Sequence, residues 1–199
     1  MSEILVLYYS RFGATEALAR DVCQGIDSVE SCTARLRTVP PVSARTEATD
    51  DEIPISGPPY ATKEDLRECT GLVMGSPTRF GNMAAPLKYF IDNTGSEWMS
   101  GTLSGRPAGV FTSTSSPHGG QETTLLTMAL PLIHHGMIFV GIPYSEALLS
   151  TTTTGGSPYG ASHVTWNRDP DKIAKEESKL AMALGKRVAG IALKLSPAG

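Results

Sequence analysis

The stretch that decides the fold is Ile4-Leu5-Val6-Leu7-Tyr8-Tyr9-Ser10-Arg11-Phe12-Gly13-Ala14-Thr15. Its first half is continuous and apolar. A strand buried on both faces reads this way, and such strands are usually parallel. Ser10 and Gly13 break the run, and from Ala14 to Ile26 the apolar positions 14, 18, 22 and 26 form a helical stripe. The unit is strand, tight turn, helix.

The same alternation continues along the chain. A second strand is expected at Thr33–Val39, a short helix at Lys63–Arg67, and a third strand at Gly71–Gly75. A helix around Ala84–Asn93 carries Pro86 in its first turn, where a missing N–H costs nothing. Arg106–Thr112 reads as the fourth strand, Glu122–Leu132 as a helix, Met137–Val140 as the fifth strand, and Pro170–Leu195 as the last helix. Five strands separated by helices predict an α/β fold, a doubly wound five-stranded parallel sheet with helices on both faces. One domain is expected over residues 1–199, with surface excursions near 40–62 and 142–168. The first carries prolines and the acidic run Asp50-Asp51-Glu52, and the second contains TTTTGGSPYGASH, too rich in Gly, Ser and Thr for an ordinary core element.

Composition narrows the function. The 199 residues carry 17 basic and 20 acidic side chains, a net charge of −3. No field gathers polyanions, so nucleic acid is not an expected partner. Cys23, Cys32 and Cys69 form no C-x-x-C pair, which argues against a disulfide framework or zinc knuckle. The first residues lack a basic leader, and no apolar run reaches the length of a membrane span. A cytoplasmic protein without a transmembrane segment is expected.

Open α/β sheets bind ligands beyond the carboxyl ends of their strands. The loop Ser10-Arg11-Phe12-Gly13-Ala14-Thr15 offers two hydroxyls, a glycine and a helix start, the parts of a terminal-phosphate site. An ordinary β–α turn whose Ser and Thr cap the helix reads equally well. The loop is neither G-x-G-x-x-G nor G-x-x-x-x-G-K-[ST]. After the third strand, Pro77-Thr78-Arg79-Phe80-Gly81 exposes an aromatic that either meets a planar ligand or tucks into the local core. After the fourth, Ser113-Thr114-Ser115-Ser116-Pro117-His118-Gly119 is dense in hydroxyl and backbone donors, suited to a ribityl chain and a pyrimidine edge or simply to water. His118, His134, His135 and His163 lack compact metal-ligand spacing, and Ser10 has no evident base partner, so neither a metal site nor a hydrolase triad is expected.

Together VLYYSRFGAT at 6–15, GSPTRFGNM at 75–83, DNTGSEWMSGTLSGRPAGVFTST at 92–114, HGGQETT at 118–124, HHGM at 134–137 and GGSPYGAS at 155–162 resemble the WrbA-type NAD(P)H:quinone oxidoreductases of the flavodoxin superfamily. The resemblance implies the strand order 2-1-3-4-5 and FMN, with its phosphate on Ser10 to Thr15. It implies Thr78, Arg79 and Phe80 beside the isoalloxazine ring, Ser113 to Gly119 along the ribityl chain and ring, and His134 as a flavin neighbour able to stabilise charge. Phe12 corresponds to an aromatic near the nicotinamide nucleotide, where a tyrosine is common. Trp98 corresponds to a tryptophan lining the substrate cavity from a neighbouring subunit, in a homotetramer built as a dimer of dimers. The third loop is one residue longer than the family's glycine-rich version. The implied activity is two-electron reduction of small quinones to hydroquinones with NADH or NADPH, in a ping-pong sequence, without a catalytic side chain. The rival reading is a flavodoxin-type electron carrier that docks to redox partners, although such carriers usually present a more acidic face.

Overall fold

The computed structural model describes residues 1–43, 54, 56–166, 169 and 172–195. Strand β1 (Ser2–Tyr8) lies inside the sheet because it has no polar face: Ile4, Leu5, Val6 and Leu7 are all fully buried. It pairs in parallel with β2 (Cys32–Thr38) on one side and β3 (Gly71–Pro77) on the other. Beyond β3 come β4 (Pro107–Thr114) and β5 (Ile138–Phe139), giving the order β2-β1-β3-β4-β5, all parallel. This is the predicted flavodoxin-like sheet.

The fifth position differs in detail from the expectation. β5 pairs only with Pro107 and Ala108, at the start of β4. The rest of β4, Phe111 to Thr114, pairs with a sixth strand, β6 (Ala161–Val164). Two short strands thus share the place of one, and the second lies in the stretch that reads as loop. Composition misleads there because Ser162 and His163 are fully buried yet hydrogen-bonded, so polar side chains occupy a core strand.

Alternation along β1 divides the core. Ile4 and Val6 face α1 (Ala14–Asp27) and α7 (Lys175–Leu195), while Leu5 and Leu7 face α2 (Lys63–Glu68), α3 (Ala85–Asp92) and α5 (Gln121–His134). The stripe Ala14, Leu18, Val22 and Ile26 is buried as its spacing requires. Two short helices, α4 (Gly95–Met99) and α6 (Leu148–Thr151), add to the expected set. α5 runs two residues further than expected, to His134, with Pro131 inside it. The expected helix start at Pro170 lies outside the described residues, and so does the acidic run at 50–52. Among the described residues no helix is long and apolar enough to cross a membrane.

Helices α1 and α7 cross backbone to backbone at two glycines. A Cβ on Gly25 would fall 2.0 Å from the Met182 carbonyl oxygen, and one on Gly185 would fall 2.2 Å from that of Val22. This contact fixes the axis of α1, and hence where its N-terminus points. At Gly190, later in α7, an added Cβ would meet nothing within 4 Å. Two substitutions in one helix should therefore act with opposite sign. In urea melts, Gly185→Ala should destabilise by about 1–3 kcal/mol through overpacking, whereas Gly190→Ala should stabilise by up to ~1 kcal/mol through helix propensity.

Candidate functional site

The loops after β1, β3 and β4 meet at one edge of the sheet. In the first, Gly13 is the N-cap residue of α1 with φ 87°, a left-handed conformation natural to glycine, and no side chain caps the helix. Thr15 is buried, and its Oγ1 lies 2.9 Å from Ser113 Oγ, tying the first loop to β4. Ser10 Oγ is also buried and has no hydrogen-bond partner. The simple capping reading of this loop therefore fails: neither hydroxyl caps the helix, and one is an orphan. Phe12 is 72% exposed, with the Arg11 guanidinium carbon 5.2 Å from its ring centroid.

Pro77 ends β3, and Thr78 Oγ1 lies 2.7 Å from Thr124 Oγ1 on α5. The next residues form a tight turn in which Arg79 and Asn82 exchange backbone hydrogen bonds of 2.7 and 3.0 Å. Its two central residues have positive φ, 52° at Phe80 and 76° at Gly81, as in a type I′ turn. Left-handed backbone at a phenylalanine is strained by roughly 1–3 kcal/mol. Phe80 is held fully exposed at the tip, so it does not tuck into the local core.

Ser113 and Thr114 prove to be buried strand residues at the end of β4 rather than loop residues. The loop beyond them is structured: Thr114 Oγ1 donates to the Ser116 carbonyl at 2.9 Å, and Gly119 N–H donates to the same oxygen at 3.0 Å. Ser115, Pro117 and His118 are exposed.

Between these loops lies a cleft of about 380 Å³. Of the predicted residues, Ser10, Arg11, Phe12, Ala14, Thr15, Pro77, Thr78, Arg79, Ser113, Thr114 and Ser115 line it. Thr165 lines it too and escapes the sequence reading. It follows β6, and its N–H donates to the Thr114 carbonyl at 2.9 Å, so finding it requires recognising that strand. Gly13, Phe80, Gly81, Ser116 and Gly119 belong to the same loops without lining the cleft. Pro117 and His118 border a neighbouring hollow at the start of α5.

Trp98 and His134 lie elsewhere. His134 is the last residue of α5, whose first residue adjoins the third loop; 14 residues at a rise of 1.5 Å carry it about 20 Å away. Trp98 on α4 donates its indole N–H to the His134 carbonyl at 2.8 Å, and both line a shallow hollow with Thr94 and His135. His135 is buried, with Nε2 3.0 Å from Thr94 Oγ1, and burial pushes its pKa down. Within one chain these aromatics do not reach the cleft.

The cleft fits a phosphate-ended ligand. The start of α1 presents uncapped N–H groups and the positive end of the helix dipole, and the orphaned Ser10 hydroxyl is buried beside it. Pro77–Arg79 and Ser113–Ser115 line the rest of the cleft. Among the described residues, no three His, Cys, Asp or Glu side chains gather as a metal site.

Known proteins resemble this chain over nearly its whole length. A protein of Solidesulfovibrio magneticus named NAD(P)H dehydrogenase (quinone) is 41% identical, covering 96% of this chain and 98% of its own. One of the same name from Trichlorobacter lovleyi is 40% identical, covering 98% and 100%. Among solved structures, a flavodoxin, WrbA-like protein from Agrobacterium tumefaciens superposes with a TM-score of 0.71 at 21% identity, covering 98% of this chain and 100% of that one. Oxidised flavodoxin 1 from Bacillus cereus does so with a TM-score of 0.60 at 15% identity, covering 95% and 98%. At such identities these two likenesses speak for the fold. The family model described as NADPH-dependent FMN reductase matches residues 4–147, and the chain belongs to that family.

Proposed function

We propose that the protein is an FMN-dependent NAD(P)H dehydrogenase that reduces small quinones to hydroquinones in the cytoplasm. The observation that carries the reading is the cleft itself: an uncapped helix start with an orphaned buried hydroxyl at one end, and two polar walls at the other. The two relatives at about 40% identity, named for this activity, support it. FMN supplies the two-electron redox chemistry when bound. Ser10, Thr15 and the N–H groups of residues 11–15 hold its phosphate. Thr78 and Arg79, with the left-handed Phe80 at the turn beside them, would hold the ring, and Ser113 to Ser115, backed by residues 116–119, would supply donors to the ribityl chain and pyrimidine edge. Donors from that wall would stabilise negative charge developing on the bound group. Phe12, exposed beside the cleft, offers a surface to the nicotinamide nucleotide. NADH or NADPH and the quinone use the same open side in turn, which gives ping-pong kinetics.

The open side needs a wall that one chain does not provide. α5 carries an exposed apolar row, Leu126, Leu130 and Ile133, and Tyr89, Trp98 and Met99 are exposed nearby on α3 and α4. Apolar surface arranged in this way favours burial against another copy. The working unit in this reading is a homotetramer, a dimer of dimers, in which a neighbour brings its Trp98 and His134 to the cleft as a pair. The 2.8 Å indole hydrogen bond already couples the two within each chain.

Two outcomes are expected. Titration of apoprotein with FMN should weaken for Ser10→Ala and Thr15→Ala by about one to two orders of magnitude, the equivalent of a charge-assisted hydrogen bond of roughly 1.5–3 kcal/mol. An unchanged affinity would place the phosphate elsewhere. Light scattering should give about four times the 21.1 kDa chain mass. In the same preparation, Trp98→Ala should retain FMN yet lose most FMN-dependent NAD(P)H oxidation with benzoquinone. A fully active monomer would contradict the assembly.

A further inference from the structure

A dense cluster of buried polar groups lies behind the cleft rather than in it. Glu177, in the first turn of α7, is fully buried, and so is His163 on β6. The His163 Nδ1 lies 2.6 Å from Glu177 Oε2, which also accepts the Ala174 N–H at 3.1 Å. The other carboxylate oxygen accepts the N–H groups of Gly155 at 2.8 Å and Val164 at 3.1 Å. One side chain thus ties together the start of α7, the strand β6 and the segment before it. Burial alone pushes the Glu177 pKa up, but the hydrogen bonds from His163 and Gly155 outweigh it and hold the carboxylate below its usual range. His163 Nε2 is buried without a partner, so the proton of a neutral ring belongs on Nδ1, facing the carboxylate.

From this anchor a chain of hydrogen bonds runs to the cleft. Gly155 is pressed against β6, where a Cβ would meet the Ser162 carbonyl oxygen at 2.0 Å. The next residue, Gly156, donates its N–H to Ser162 Oγ at 2.7 Å. Ser162 Oγ donates to Gln121 Oε1 at 2.6 Å, and Gln121 Nε2 donates to the Pro117 carbonyl at 2.9 Å. Pro117 lies in the middle of the third loop. On the other side, β6 pairs His163 with Ser113 and leads into Thr165, both of which bear on the wall of the cleft.

We propose that Glu177, with His163, is a positioning device for the FMN pocket: it holds β6 and residues 155–156 in place, and through Ser162 and Gln121 it sets the conformation of the loop Ser115–Gly119. The inference rests on the FMN reading of the cleft. It gives a role to the carboxylate and imidazole that occupy the core.

The test compares apoprotein stability with FMN binding. FMN fluorescence titration, thermal melting of the apoprotein and the visible spectrum of bound FMN should be measured for wild type, Glu177→Gln, His163→Asn and Gln121→Ala. Glu177→Gln should weaken FMN binding at least tenfold. Gln121→Ala, which cuts the link to the loop and leaves the carboxylate intact, should weaken it several-fold and shift the flavin spectrum with little change in apoprotein melting. His163→Asn, which keeps a donor at the Nδ1 position, should bind FMN much as wild type does. Should Glu177→Gln fail to fold, Gln121→Ala decides. FMN affinity within twofold of wild type in Gln121→Ala, with an unchanged spectrum, would overturn the positioning role while leaving the FMN site standing. Wild-type apoprotein that binds no FMN would overturn the FMN reading itself.

Discussion

The site depends on a helix that begins without a cap. A Ser, Thr, Asp or Asn at the N-cap normally satisfies the first N–H groups of a helix. Here that position is Gly13 at φ 87°, and neither nearby hydroxyl caps the helix: Thr15 shares a hydrogen bond with Ser113, in which Ser113 can donate and leave the Thr15 proton available, and Ser10 has no hydrogen-bond partner. Leaving such donors unpaired costs about 1–3 kcal/mol each when they are buried, and an anion at the helix start removes that cost. The close crossing of α1 and α7 at Gly25 and Gly185 keeps the helix start aimed at the end of β4. The phosphate site proposed above would thus be a consequence of backbone geometry, with side chains refining it.

The remaining walls of the cleft come from the segments after β3 and β4. The wall after β3 is a four-residue turn that pushes Phe80 outward in a left-handed conformation. The wall after β4 is short and anchored from behind by the Glu177 network. α5 begins at this edge and carries His134 about 20 Å away from it.

Much of this is legible in the sequence. The buried-strand run at 4–9, the stripe from Ala14 to Ile26 and the three polar loops are enough to place the sheet and the cleft. What sequence reasoning misses is hidden by polarity. β6 reads as loop because Ser162 and His163 are not apolar, and only their partners, Gln121, Gly156 and the distant Glu177, make them core residues. Thr165 is lost with that strand. Ser113 and Thr114 read as loop for the same reason, being hydroxyl side chains that fill a buried strand end. The separation of Trp98 and His134 from their own cleft follows from the length of α5.

The most direct test of the account is an anaerobic two-step mixing experiment on the FMN-loaded protein. In the first step NADH or NADPH is added without quinone, and in the second benzoquinone is added after the nucleotide is removed. The account predicts stoichiometric loss of the oxidised-flavin absorbance in the first step and its full recovery in the second. Absorbance that neither nucleotide bleaches, but that a protein electron donor does, would contradict it and make the molecule a carrier rather than a quinone reductase.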